Sequence, residues 1–288
     1  IANAQKAFQK ALETAPRHPE ALQGLREAEQ LERHGGQQHT RMVAIVAERP
    51  YAIPAAINTE RMRYEETITR RKLRRRQHGA EGSPGPVPFT NRRPQGSDTT
   101  KTPPTAFVRD TLDLIVLHGT YTADARTFFV ESGEEGTSAH FLIDYDGTIY
   151  QTLDLKYAAK HVSDSRIEKR SLAIAIVNPV DRDRPPLPDG VSEPKRPLSS
   201  PVNRHGKTVR QWGYTRPQMR SLRQLVNGLI HLFPKLPAHL PRATDGKILV
   251  GLIPESELPF KGVAGHAHFS KRATDPTVGL DWESLKIR

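Results

Sequence analysis

The chain has no cysteine, and only 6% of its residues are aromatic. Without cysteine it can form no disulfide, no thiolate nucleophile and no thiolate metal ligand. No apolar run approaches the roughly 20 residues that a membrane-spanning helix needs. Because the 288 residues include 24 prolines and only 36% hydrophobic residues, much of the length cannot be packed core. We expect one or two domains.

Negative charge is also scarce, with 32 acidic residues against 43 lysines and arginines and a net charge of +11. A basic surface attracts nucleic acid, an anionic membrane or an acidic polymer. The densest basic run, Arg70 to Arg76, has no interleaved aromatic residues of the kind that stack on bases. We therefore predict no nucleic-acid partner. Teichoic acid, phospholipid or carboxylate-bearing peptidoglycan is the expected target of this charge.

Two histidines and an aspartate have the chemistry of an open zinc site. His118 closes the apolar run at 112–117, and His266 and Asp275 lie near the C-terminus. Two imidazoles and a carboxylate satisfy three positions of a tetrahedral Zn²⁺ and leave the fourth for water or substrate. Such a metal polarises a carbonyl and acidifies water, as amide hydrolysis requires. His268, two residues after His266, is a competing ligand.

Three segments lie in order between the two halves of this trio. The run from Thr137 to Gln151 contains Asp146-Gly147, a strong hairpin signal between β-rich segments. A short segment, Ala158-Ala159-Lys160-His161-Val162, follows it. The run at 171–178 is apolar enough to be a strand buried on both faces.

In this order the segments resemble the zinc amidases of the type 2 N-acetylmuramoyl-L-alanine amidase and peptidoglycan-recognition-protein family. Members typically show a strand that ends in His-His-Thr-Ala, followed by Ser-Ala-His-Tyr-Leu-Ile-Asp-x-Asp-Gly-Thr-Ile-Tyr-Gln and Trp-His-Ala-Gly. Next come Ser-Ile-Gly-Ile-Glu-Leu-Val-Asn and finally Gly-His, with Asp-Pro or Cys-Pro several residues later. The resemblance covers residues 107–288 with two insertions, and five ordered motifs are hard to obtain by chance.

The resemblance implies a mixed α/β domain with a central mixed sheet flanked by helices. It implies that His118, His266 and Asp275 bind zinc, with His266 preferred over His268 because the family ligand directly follows a glycine. It also implies that His161 lines the substrate cleft. The implied reaction is hydrolysis of the amide between N-acetylmuramic acid and L-alanine in peptidoglycan. The implied place is the bacterial cell envelope, periplasmic or extracellular.

Two departures from the family pattern bear on catalysis. Ala175 stands where many members have a glutamate, and Ala273 stands where many have a lysine two residues before the last ligand. General acid–base help is typically worth about 10²–10⁴-fold in rate, and one oxyanion donor about 10²–10³-fold. An alternative interpretation is therefore a peptidoglycan-recognition module that binds without turnover.

Other side chains could replace the missing groups. Lys271 or Arg272 could supply the positive charge, and His161 or His268 could act as the general acid or base. Tyr121, just after the strand of the first ligand, could donate a phenolic hydrogen bond.

The N-terminal 35 residues resemble a tetratricopeptide repeat. Apolar residues at 4, 8 and 11 precede a proline at 16, and residues 18–29 resemble the first helix of a next repeat. Because repeats need neighbours to bury their faces, we expect a fragment of a longer protein whose signal or anchor lies upstream. A protein partner recruited by this segment is compatible with either function.

The remaining chain is divided by composition. Residues 36–104 are predicted to be a basic helical segment, helical over 59–76, and a linker rich in Pro, Gly, Ser and Thr. Residues 105–288 are the predicted amidase-like domain. It has a basic, proline-rich insertion at 179–211, which cannot hold a central strand, and a second insertion at 234–261. A helix is predicted from Met219 to Phe233, capped by Thr215.

Overall fold

A computed structural model of the chain describes residues 40–59, 62–67, 87–92, 101–178, 196, 199, 201–204, 207–209, 212–276 and 279–287. The predicted repeat helices at 1–35 and the basic run at 70–76 lie outside these residues. Within them, no helix is both long and apolar enough to cross a membrane.

A seven-stranded mixed sheet forms the centre of the fold, in the order β1-β2-β6-β5-β8-β4-β11. The strands of the described residues are β1 (Thr40–Val46), β2 (Arg49–Asn58), β3 (Phe89–Asn91), β4 (Leu114–Thr120), β5 (Phe141–Ile143), β6 (Ile149–Gln151), β7 (Tyr157–Ala159), β8 (Ser171–Val177), β9 (Val202–Arg204), β10 (Lys207–Val209) and β11 (Gly262–Gly265). The helices are α1 (Thr105–Thr111), α2 (Ala125–Glu135), α3 (Ser165–Arg170) and α4 (Arg216–Leu232). The predicted α/β class with a central mixed sheet is confirmed.

The middle of the sheet is parallel and buried on both faces. β4 pairs with β8 on one side and with β11 on the other, both in parallel. Every residue of β8 is buried, as its continuous apolar run predicts. The predicted Asp146-Gly147 hairpin joins β5 to β6, with Gly147 at a φ of +85°. These strands carry the predicted site residues toward one edge of the sheet.

The long helix α4 covers one face of this sheet. It begins with the predicted Thr215 cap, whose side chain accepts from the Gln218 N–H while Gln218 reciprocates in a capping box. Its buried face packs on β2, and at Gly228 an added Cβ would lie 2.2 Å from Ile53. The helix therefore needs glycine at this contact.

The predicted domain boundary at residue 105 is wrong, because the antiparallel hairpin of β1 and β2 belongs to the central sheet. The Gln151 side-chain amide bridges both backbone groups of Ile45, and the Asp154 carboxylate accepts from the N–H groups of Ala47 and Glu48. Residues 40–46 and 49–58 are therefore strands. Of the helix predicted over 59–76, residues 64–67 are helical, whereas residues 59 and 62–63 are not. Buried residues alternate along both strands, and this period-two pattern is typical of a strand. The predicted boundary at residue 105 did not take it into account.

A buried arginine ties the segment before the domain to its core. Arg92, directly after β3, is only 2% exposed. Its guanidinium donates to five backbone carbonyls, those of Leu155, Tyr157, Glu168, Lys169 and Ser171. Burial lowers its pKa to about 9, which leaves it charged at neutral pH. This charge is therefore solvated by backbone dipoles.

The two predicted insertions differ in the parts that are described. In the first, β9 and β10 form a separate two-stranded sheet. The second is irregular and closes against β11, where the His239 carbonyl accepts from the Val263 N–H at 2.8 Å. This contact covers the outer edge of the central sheet.

Candidate metal centre

Sheet register brings the two predicted histidine ligands together. Leu117 of β4 is paired with Gly265 of β11, so His118, the next residue of β4, lies beside His266, which directly follows the end of β11. Their ring centroids lie 4.9 Å apart. The parallel pairing of β4 and β11 therefore brings these two histidines together, although they are far apart in sequence.

Asp275 completes a cluster in which each carboxylate oxygen faces a different ring. Its Oδ2 lies 3.6 Å from Nδ1 of His118, and its Oδ1 lies 3.3 Å from Nδ1 of His266. One ligand atom from each of the three residues lies within 4.8 Å of the others. The side chains of His118 and Asp275 are each 11% exposed, and that of His266 is 26% exposed. The cluster is thus sheltered and reachable from one side.

Backbone contacts hold Asp275 in place. Its carbonyl accepts from the Ala267 N–H at 2.9 Å, which folds the chain back onto the turn of His266. Its Oδ2 accepts from the Gly119 N–H at 3.2 Å. A Cβ at Gly119 would lie 2.9 Å from the Tyr214 hydroxyl and 3.5 Å from Asp275 Cβ. Glycine after the first histidine therefore lets the carboxylate approach the strand.

His161 contacts the outer nitrogen of His118. Its Nδ1 lies 2.9 Å from Nε2 of His118, and its own Nε2 lies 2.9 Å from the Ser171 hydroxyl. Its backbone N–H donates to the Glu168 carboxylate. If Nδ1 of His118 binds a cation, its Nε2 carries the proton and donates to His161, which then donates to Ser171. Both ring nitrogens of His161 are therefore engaged.

Electrostatics favours neutral imidazoles beside an ionised carboxylate. Burial lowers the pKa of His118, more than the neighbouring Asp275 carboxylate raises it. Burial, followed by the charge of His118, holds the pKa of His161 well below its usual range. Burial alone would raise the pKa of Asp275, but hydrogen bonds from His118 and His266 outweigh it and hold that pKa well below the usual range. These are the protonation states that a metal requires.

His268, the predicted competing ligand, lies outside the cluster. It is 1% exposed, its Nδ1 accepts from the Gly265 N–H at 2.8 Å, and its Nε2 donates to the Leu249 carbonyl at 2.7 Å. Its ring also packs edge-on against Trp282. Both ring nitrogens serve the backbone, so the geometry offers neither a metal ligand nor a general base here.

The other predicted replacements lie on the rim. The Tyr121 side chain is 54% exposed, and its hydroxyl is 3.0 Å from that of Thr274, next to Asp275. Lys271 and Arg272 are exposed, and none of the contacts among the described residues joins either to the cluster. Of these side chains, Tyr121 is the one whose hydroxyl is placed beside a residue that adjoins a predicted ligand.

The two departures from the family pattern are buried. Ala175 of β8 is directly opposite His118 in the sheet register and is 1% exposed. Ala273 is 8% exposed. A glutamate at 175 would point to the same face as His118, so its absence removes an acid–base group from a position beside the cluster.

Three contributors to this region have no sequence signal of their own. In the sequence, Ser171 is only the first residue of a predicted strand, Arg92 lies in the predicted linker, and Tyr214 directly precedes the predicted helix cap. Arg92 and Tyr214 contact residues that are more than 30 positions away in sequence. Ser171 contacts His161, which is ten positions away and lies in the loop before α3. Only pairing of strand ends could have suggested them.

Several solved structures are similar to the chain at low identity. A selenomethionine derivative of AmpD is 18% identical, with 70% of this chain and 90% of that chain covered and a TM-score of 0.37. The endolysin N-acetylmuramoyl-L-alanine amidase LysCS from Clostridium intestinale URNW is 15% identical, with 72% and 90% covered and a TM-score of 0.37. The Ph2119 endolysin from Thermus scotoductus MAT2119 bacteriophage Ph2119 is 18% identical, with 73% and 92% covered and a TM-score of 0.36.

No curated protein matches the chain. The sequence pattern of one family does match it, over residues 109–278, which is more than half of the chain and includes all three cluster residues. This range contains both β4 and β11, the paired strands that bring His118 and His266 together. The chain belongs to the N-acetylmuramoyl-L-alanine amidase family.

Proposed function

We propose that the chain hydrolyses the amide between the lactyl group of N-acetylmuramic acid and L-alanine in peptidoglycan, with zinc as its cofactor. The observation that carries this proposal is the cluster of His118, His266 and Asp275, whose ligand atoms lie within 4.8 Å of one another inside the family-matched range. The cell envelope, periplasmic or extracellular, is the place where this substrate occurs.

The donor set fits zinc. Tetrahedral zinc bonds of about 2.0–2.2 Å put neighbouring ligand atoms roughly 3.3–3.5 Å apart. The two nitrogen–oxygen distances at Asp275 are 3.3 and 3.6 Å. His118, His266 and Asp275 would hold the ion, and three ligands leave one position for substrate or water.

A bound zinc ion supplies Lewis acidity, which polarises an amide carbonyl and acidifies water. The protein orients the ligands through groups behind them. His161 fixes the ring of His118 through its outer nitrogen, and the Gly119 N–H fixes one oxygen of Asp275. Such outer partners typically change metal affinity or activity by about 10–100-fold.

Tyr121 is our proposed contact with the reacting amide. Its hydroxyl lies beside the Thr274 hydroxyl at the exposed rim of the cluster. A phenol at this position can donate a hydrogen bond to oxygen as charge develops on it, a contribution worth about 10²–10³-fold in rate. Lys271 and Arg272 stay in the proposal only as positive charges at the rim, because they are exposed.

The experiment is a digestion of purified peptidoglycan by the zinc-loaded chain. The full chain is needed because β1 and β2 belong to the central sheet. We expect new L-alanine amino groups without new reducing sugar ends. New reducing ends alone would indicate cleavage of the glycan and would contradict the proposal.

The second candidate is a recognition module that binds peptidoglycan without cleaving it. The observation that favours it is Ala175, which lies opposite His118 where an acid–base group would lie. An A175E variant separates the two, with zinc content as its control for folding. Activity that appears only in A175E would support the recognition module, whereas an active wild-type chain would exclude it.

A further inference from the structure

A basic cleft of about 1110 Å³ lies at the start of α4. Four arginines line it, Arg196, Arg216, Arg220 and Arg223, against one aspartate, Asp281. Three of the arginines follow each other on α4 at spacings of four and three residues, so they share one helix face. The lining is therefore strongly cationic.

Arg196 is the unusual member of this lining. It is 9% exposed, and its guanidinium carbon lies over the rings of Tyr145 and Trp212, at 5.5 and 5.4 Å from their centres. Its Nη1 donates to the Asn178 side-chain oxygen. Two aromatic faces and one amide thus fix its position.

The other edge of this guanidinium has no acceptor in the part of the chain that the structure describes. Nε and Nη2 of Arg196 are buried and have no hydrogen-bond partner among the described residues. These two nitrogens form the fork that binds both oxygens of a carboxylate in parallel. A buried donor without a partner costs free energy, and an oxyanion that reached this edge from the cleft would remove that cost.

Tyr214 connects the cleft with the metal cluster. Its side chain lines the cleft, and its hydroxyl lies 2.9 Å from the position of a Cβ on Gly119, the residue that holds Asp275. Tyr214 therefore lies between the cleft and the cluster, so the two are neighbouring parts of the surface.

We infer that this cleft binds a carboxylate of the stem peptide, with Arg196 as its anchor and Arg216 and Arg220 as further contacts. The inference rests on the proposed function, because it assigns a binding role to the substrate beyond the scissile amide.

The test measures binding without turnover. The full chain, freed of metal by EDTA, is titrated by calorimetry with N-acetylmuramoyl-L-alanyl-D-glutamic acid and with its diamide. We expect the acid to bind about 10–100-fold more tightly than the diamide, as a charge-assisted bidentate contact predicts. Equal binding of the two would overturn the inference.

The R196K variant keeps the charge but loses the fork, so it should abolish most of the preference for the acid. R220Q changes an exposed arginine and cannot disturb the core, so a loss of about 3–10-fold in acid binding tests the cleft even if R196K misfolds. R166Q, an exposed arginine outside the lining, is the matched control and should leave binding unchanged. An equal loss in R166Q and R220Q would show general charge attraction and contradict the inference.

Glycerol phosphate distinguishes a phosphate-bearing polymer from the stem peptide. Displacement of the acid by glycerol phosphate at equal concentration would overturn the carboxylate assignment. If the zinc-loaded chain releases no L-alanine amines while the acid preference holds, the proposed hydrolysis fails and the cleft assignment stands.

Discussion

The turn after β11 holds two histidines whose hydrogen bonds differ completely. His266 directs Nδ1 at Asp275, 3.3 Å away, whereas both nitrogens of His268 are taken by backbone groups. The same contrast separates His118 from His140, which is fully buried and accepts from the Ala173 N–H. We therefore call His118 and His266 open histidines, because a ring nitrogen of each faces Asp275, and His268 and His140 closed histidines, because their ring nitrogens bond to backbone groups. Hydrogen bonds to the backbone, and not burial, distinguish the two groups.

The largest expected effect is on zinc binding. An H266A variant removes a ligand, so its zinc affinity should fall by more than the roughly 100-fold that loss of an outer partner costs. H268Q should keep full zinc content and lose only about 1–3 kcal/mol of stability, because its backbone partners are left unsatisfied. Metal analysis after dialysis checks both. Zinc loss in H268Q with retention in H266A would reverse the assignment.

The next effect concerns the buried hydrogen bonds that Arg92 donates to backbone carbonyls. An R92M variant leaves several buried carbonyls without their donor, so the free energy of unfolding should fall by about 3 kcal/mol or more. R109M is the matched control, because Arg109 donates to one carbonyl, that of Leu232, and should cost about 1 kcal/mol. Urea titrations of both variants measure this, and equal losses would show that the buried network adds nothing.

A smaller effect is expected at the partner of an open histidine. H161F removes the acceptor for Nε2 of His118, so zinc affinity should fall about 10–100-fold while the fold persists. S171A leaves His161 in place and should change the affinity several-fold less. Competition with a zinc chelator measures both variants. Unchanged affinity in H161F would mean that the contact has no role in holding the ligand.

The smallest effect is a pH dependence at the closed histidine. Burial and the charge of Arg92 lower the pKa of His140 from 6.5 to about 3. Between these values the unfolded chain binds the proton and the folded chain does not. The stability that neutral His140 contributes is therefore complete above pH 6.5. Below that pH the free energy of unfolding falls by at most about 1.4 kcal/mol per pH unit as the pH drops toward 3.

Denaturation at several pH values, compared with H140Q, checks this. In H140Q the free energy of unfolding should change less steeply with pH between pH 6.5 and 4, by up to about 1.4 kcal/mol per pH unit, the contribution of one proton. The same substitution at the exposed His231 is the control. An unchanged slope in H140Q would show that His140 is protonated in the folded protein.

The sequence was sufficient for the parts of this fold that have local signals. The buried run of β8, the Asp146-Gly147 hairpin and the Thr215 cap each follow from neighbouring residues. The hairpin of β1 and β2 was missed because its contacts with Gln151 and Asp154 lie about 100 residues away. β2 also contains prolines at 50 and 54, which obscure its alternation.

The candidate site shows the same division. His118 and His266 could be chosen because each ends a recognisable strand or follows a glycine. The engagement of His268 with the backbone and the contact of His161 with His118 could not be predicted, because both depend on loops that fold back. Arg196 lies in an insertion without a motif, so its role could not be predicted from the sequence and depends on its buried nitrogens, which are unpaired among the described residues.

Diffraction at the zinc absorption edge, from crystals of the zinc-loaded full chain, tests the metal centre most directly. We expect one anomalous peak within about 2.0–2.2 Å of Nδ1 of His118, Nδ1 of His266 and an oxygen of Asp275. A peak at His268 or His161, or no peak in this cluster, would contradict a zinc-dependent amidase site.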